Sequence, residues 1–161
     1  MTGQTHIDAL VEIATTGSGA AVPDYQASNL DLAGFQGLFY EEVPNIGQLG
    51  DTGVSDSFVD YQTYGSRIAI KQKGTASGME SELRCLQPRS GQESLGYQAL
   101  IAAGLTNQNV VLKMTWDDGH VEYVRTLIGQ PSFVKGQNQN FREAVFTMGI
   151  NQSPVTDYEA P

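Results

Sequence analysis

At 161 residues, with 40% hydrophobic residues and 18 glycines, the chain is long enough for one domain with a real core and too apolar for a wholly disordered polymer. Its net charge of −9 arises entirely within residues 1–66, which hold nine of the 18 acids and none of the nine Lys and Arg residues. This excludes a nucleic-acid binder that works by bulk attraction, because an acidic surface repels a phosphate backbone.

The lone cysteine, Cys85, has no partner for an internal disulfide. The start of the chain lacks a basic stretch followed by an apolar run, and no stretch approaches the roughly 18 apolar residues of a membrane helix. A cytoplasmic setting without a membrane is the expectation. Asn151-Gln152-Ser153 matches a glycosylation acceptor, which has no meaning without secretion.

In chain order, Ile7, Ala9, Val11 and Ile13 alternate with Asp8, Leu10, Glu12 and Ala14, the pattern of a half-buried strand. Ala20 to Gln36 lacks a sustained period, so residues 1–36 are expected to be an N-terminal arm carrying the first strand. Leu38 to Val43 is a short strand closed by Pro44. Asn45 to Ser66 reads as a long acidic loop, with Gly47, Gly50, Gly53 and Gly65 among Asp51, Asp56, Phe58, Asp60, Tyr61 and Tyr64. A connection beyond about 15 residues is unusual inside a compact domain and tends to be functional or bound to a partner.

Arg67 to Lys73 and Met79 to Gln87 are expected to pair as a hairpin across Gly74–Gly78, with Met79, Ser81, Leu83 and Cys85 packed and Glu80, Glu82 and Arg84 outward. Ser90-Gly91-Gln92-Glu93 has the form of a capping box, predicting a helix over about 91–103 that Gly104 ends in a left-handed conformation. Val110 to Trp116 and Val121 to Ile128 form a second hairpin through Asp118-Gly119. A two-residue type I′ turn there sets Trp116 opposite Val121 and Met114 opposite Tyr123. Pro131 to Asn140 is a polar connection. Phe141 to Ile150 is a last strand with Ala144, Phe146, Met148 and Ile150 inward and Glu143, Val145 and Thr147 outward, and residues 153–161 are a tail.

No catalytic constellation emerges. Gly17-Ser18-Gly19 lacks the third glycine and the βαβ unit of a dinucleotide loop. Asp117-Asp118-Gly119-His120 is better explained as a turn than as a metal site, and Cys85 as a buried, inert thiol than as a nucleophile. Neither a cofactor nor a metal is expected.

The ordered set of segments resembles the major tail tube proteins of long, non-contractile-tailed bacteriophages, over about Phe39 to Tyr158. The resemblance rests on Phe39-Tyr40-Glu41-Glu42-Val43-Pro44-Asn45-Ile46-Gly47, the loop leading into Arg67–Gly74, the helix at Gln92 to Ala103, the Trp116-Asp117-Asp118-Gly119 hairpin, and a last strand running into Gly149–Val155. It implies a mainly β fold, a small antiparallel β-sandwich or barrel flanked by one α-helix, as a single domain with an extended N-terminal arm and a long loop. By the same resemblance the protein is a structural virion component without catalysis. Hexameric rings would stack on one another around a channel for DNA ejection, after assembly in the host cytoplasm. Partners would be further copies of the chain and other tail proteins (tape measure, terminator, distal tail), with DNA passing without specific binding.

The arm, the loop 45–66 (Asp51, Asp56, Phe58, Asp60, Tyr61, Tyr64) and the tail would make the contacts between subunits. Lys71, Lys73, Glu80, Glu82 and Arg84 are the candidate channel lining. Two alternatives share these features in part: a tail terminator or the tube protein of a contractile tail or tail-like device, and a monomeric β-sandwich binding or adhesion module.

Overall fold

The computed structural model describes residues 9–17, 19–23, 30–65, 67–135 and 142–158. Ile7 and Asp8 of the first expected strand, arm residues 24–29, Ser66, residues 136–141 and the last three tail residues lie outside these ranges.

The elements run β1 (Ala9–Thr15), α1 (Leu32–Gln36), β2 (Phe39–Glu42), β3 (Ile46–Leu49), β4 (Val54–Tyr61), β5 (Ile70–Gly78), β6 (Glu80–Leu86), α2 (Leu95–Gly104), β7 (Asn109–Trp116), β8 (His120–Ile128), β9 (Ser132–Lys135), β10 (Arg142–Ile150) and β11 (Val155–Tyr158). The fold is mainly β and antiparallel. Nine strands form one sheet along the path β2-β1-β7-β8-β10-β6-β3, with β11 added to β8 and β9 to β10, while among the described residues β4 and β5 pair only with each other.

The middle of this sheet is covered on both faces, which is why β7 reads as a nearly unbroken apolar run instead of a clean alternation. Val110, Leu112 and Met114 enter the larger core with Val11 and Ile13 of β1, Leu83 and Cys85 of β6, and Ala144, Phe146, Met148 and Ile150 of β10. Ile46 and Leu49 of β3 pack against the same cluster, so strands from both ends of the path share one core and the sheet curls around it. Helix α2 covers that core with Tyr97, Ala99, Leu100 and Ala103. Gly96 lets the helix approach β2, for a Cβ there would lie 1.9 Å from the Glu42 carbonyl oxygen. On the opposite face Val111, Val121 and Tyr123 meet Ala14 and Phe35, whose ring stacks on Tyr123 at 5.3 Å. Burying each such large apolar side chain contributes about 1.5–3 kcal/mol.

Several sequence expectations change. Residues 20–36 contain a helix, α1, capped by Asp31, whose Oδ1 accepts from the Gly34 N–H at 2.8 Å; at five residues it is too short to show a period. The described residues therefore hold two helices. The cap of α2 is Ser94, whose Oγ accepts from the Tyr97 N–H at 3.1 Å. Ser90 is not the cap, because Gly91 at φ +82° and a Gln92 N–H bond to the Arg89 carbonyl make a separate turn there. Gly104 is the last helical residue, and Leu105, at φ −96°, is the C-cap. The tail is not a free end, since β11 pairs with β8 from Val155↔Tyr123 to Tyr158↔His120. Likewise β9 lies within the expected polar connection, and Val145 is buried instead of facing outward.

The β7–β8 register is one residue from the expected one, with Thr115 opposite Val121 and Met114 opposite Glu122. The loop has three residues, not two. The Gly119 N–H bonds the Trp116 carbonyl at 3.1 Å and Gly119 takes φ +94°, the left-handed position of a type I turn plus bulge. A one-residue slip exchanges faces, and so Tyr123 belongs to the smaller core and Met114 to the larger one.

Candidate assembly surface

The stretch expected to be a loop over residues 45–66 is largely strand, and the hairpin expected across Gly74–Gly78 does not exist. Instead β4 pairs with β5 from Val54↔Gly78 to Tyr61↔Ile70, and residues 74–78 continue strand β5. β6 pairs with β10 and β3. The Met79 N–H bonds the Gly53 carbonyl at 3.0 Å, so the chain leaves the domain and returns at adjacent points. Between them stands a two-stranded ribbon. Seven of eight β4 residues and eight of nine β5 residues are exposed.

The ribbon has two chemically distinct faces. Directly opposed residues of an antiparallel pair point to the same side. Phe58↔Lys73 and Asp60↔Lys71 therefore share one face, and Val59↔Gln72 and Tyr61↔Ile70 the other. On the charged face Lys71 Nζ lies 2.8 Å from Asp60 Oδ1 and Lys73 Nζ 3.4 Å from Asp56 Oδ2. On the other face Val59, Tyr61 and Ile70 present contiguous apolar surface, with Tyr61 64% exposed. A bulge between Asp56 and Phe58 breaks the alternation, as Ser57 faces both Gly74 and Thr75 and its Oγ donates to the Thr75 carbonyl at 3.0 Å. Tyr64 and Ile68 stand at the tip, Tyr64 fully exposed, and exposed Asp51 precedes the root of the ribbon.

The residues expected on one hairpin thus divide between two places. Lys71 and Lys73 sit on the ribbon, whereas Glu80, Glu82 and Arg84 lie on the outer side of β6 with Leu83 and Cys85 turned inward. Arg84 holds Glu82 at 3.1 Å, Glu82 is opposite Thr147 of β10, and Arg84 is opposite Gln48 of β3. These neighbours make one polar sheet surface. Sequence reading found the aromatic and acidic residues of the ribbon but missed Val59 and Ile70 as an apolar face. Their alternation with Asp60 and Lys71 was the available signal, and the bulge hid its continuation.

Two other candidates belong to the framework. Burial, reinforced by the Glu143 charge, pushes the Cys85 thiol up to about 11. Asp118 is held below the ordinary carboxylate range, chiefly by the His120 backbone N–H at 3.0 Å and also by the His120 ring at 3.1 Å. Both contacts belong to the β7–β8 turn.

No family model matches the chain and no curated protein matches it in sequence. Solved structures do. The tail of an empty GTA particle aligns over 98% of this chain and 100% of that one, with a TM-score of 0.61 at 11% identity. The SPP1 tail tube aligns over 96% and 78%, with a TM-score of 0.59 at 10% identity. This is the tail tube fold. The anti-feeding prophage baseplate carries it too, aligning over 98% of this chain and 97% of that one, with a TM-score of 0.59 at 9% identity. In this chain the described residues include a two-stranded ribbon that pairs with no other described strand and so has open backbone edges.

Proposed function

We propose that this chain is a structural virion protein whose copies assemble into stacked hexameric rings, forming a phage tail tube through which DNA is ejected. The observation that carries this reading is the ribbon. A lone two-stranded hairpin is marginal in water, and an apolar face of Val59, Tyr61 and Ile70 on it is left exposed by the described residues. A neighbouring copy would supply that cover. Six-fold symmetry supports the ring, because it is stated for both the anti-feeding prophage baseplate and the GTA tail.

In this assembly Asp51, the ribbon residues Asp56, Phe58, Asp60 and Tyr61, and Tyr64 at its tip lie between subunits. Lys71 and Lys73 act there too, as internal ion-pair partners that stiffen the ribbon. The channel lining is assigned to the polar outer side of β6, with Glu80, Glu82 and Arg84. Pairing Arg84 with Glu82 leaves that surface without a free cation to retain passing phosphates. The protein needs neither substrate nor cofactor, and its partners are its own copies and the other components of the tail.

Electron microscopy of purified protein over a concentration series, with sedimentation in parallel, tests this directly. Hollow six-fold rings stacking into tubes are the expected result. A protein that stays monomeric at every concentration and salt would overturn it.

A further inference from the structure

A cleft of about 420 Å³ opens between the β2–β3 connection and the segment joining β6 to α2, lined by Pro44, Asn45, Leu86, Arg89, Tyr97 and Arg142 among others. None of its lining residues is a carboxylate, in a chain with twice as many acids as bases. Arg142 also stands directly opposite Lys135 in the β9–β10 pair. Like charges in that position destabilise a sheet, and no described acid forms an ion pair with Arg89, Lys135 or Arg142. By contrast Lys71, Lys73 and Arg84 each hold a carboxylate. Arg89 and Arg142 thus share one cleft, Lys135 stands opposite Arg142, and all three are exposed.

The acids show the converse. Within residues 1–66, which lack any base, Asp56 and Asp60 are held on the ribbon and Asp31 caps α1. Glu41, Glu42 and Asp51 form no ion pair with a described residue.

We propose that the cleft lined by Arg89 and Arg142, with Lys135 opposite Arg142 on the neighbouring strand, is the receptor for carboxylates from the base-free segment of a second copy of this chain. The inference rests on the assembly reading above and adds its electrostatic key. Contact between two different patches of identical subunits is the heterologous kind, which generates rings or filaments. A guanidinium pair beside a lysine favours carboxylate at short range, where pairing outweighs the general repulsion between acidic subunits. The cleft admits a few side chains and not a duplex, so a nucleic acid is the less suitable anion.

Zero-length carbodiimide coupling, which joins lysine to carboxylate, tests the contact in a mixture of isotopically heavy and light chains. The expected product joins Lys135 of one isotope to Glu41, Glu42 or Asp51 of the other. A triple variant, R89Q/K135Q/R142Q, changes only exposed side chains, and its expected effect is at least a tenfold rise in the concentration needed for association. Cross-links between copies without rings would refute the tube and keep the docking. Rings that form normally in the triple variant, or in which Lys135 joins only acids outside residues 1–66, would refute the docking and keep the tube. Duplex DNA bound by the wild-type chain and released by R89E/K135E/R142E would also overturn the assignment to a second copy.

Discussion

Gly78, where the ribbon rejoins the domain, has no room for a side chain, since a Cβ there would sit 1.6 Å from the Ile150 carbonyl oxygen. The obstacle is backbone, which cannot rotate aside. Gly78→Ala is expected to cost about 2–3 kcal/mol, read as a lower urea midpoint, whereas Gly149→Ala, with open space around its Cβ, is expected to change stability by less than about 1 kcal/mol. Equal midpoints for the two variants would contradict this packing. Cys85 gives a second test at this scale. Its thiol is raised to about 11 from 9.0, so the folded chain stays protonated where an unfolded one ionises. That contribution to stability is complete below pH 9 and is lost as pH rises from there through the folded value. Cys85 should resist a thiol-specific reagent at pH 8 until urea unfolds the chain, and rapid labelling of native protein would show that the site is open.

Among the elements, the ribbon is the one that can be removed. Cutting 45–66 would take away β3, with Ile46 and Leu49 packed on the core, and leave β5 unpaired. The clean excision is 55–77, because it keeps Val54 on the core, and Val54 and Gly78 are already directly paired so that a short Gly-Ser turn can join them. The excised protein is expected to keep its thermal unfolding cooperative and to lose tube formation. Persistent tubes would exclude the ribbon as the joint. This element was also the least legible in the sequence, for physical reasons. Strands β1, β6 and β10 showed themselves because a core selects one face of each, as in Leu83 and Cys85 against Glu82 and Arg84. Beyond Val54 at the root, no core of described residues selects a face of β4 or β5, so Gly74 and Thr75 read as a loop. Helix α1 hid in the same way, being shorter than two turns and recognisable only by its Asp31 cap. The aromatic and acidic composition of the ribbon did point to a surface meant for something else, although its strand pairing stayed invisible.

For the whole molecule, the net charge of −9 and the sheet order act together. In the proposed assembly, acidic subunits repel one another at long range and association would depend on short-range matches: an apolar ribbon face and, by the inference above, a basic cleft meeting carboxylates. The architecture was legible at this scale through the order of segments, and the fold aligns over nearly the whole chain with the solved tail structures despite identities near 10%. The cleft was not legible, because Arg89, Lys135 and Arg142 are far apart in sequence and only the pairing of β9 with β10 brings two of them face to face. The ribbon's length has one more consequence. Eight residues of β4 span about 26 Å, well beyond the roughly 15 Å radius of gyration expected for a domain of this size. Two strands without a core behind them bend and twist far more readily than a packed sheet. A tube jointed by such struts would keep each ring stiff and place its compliance between rings, giving a conduit that curves under load without opening its wall.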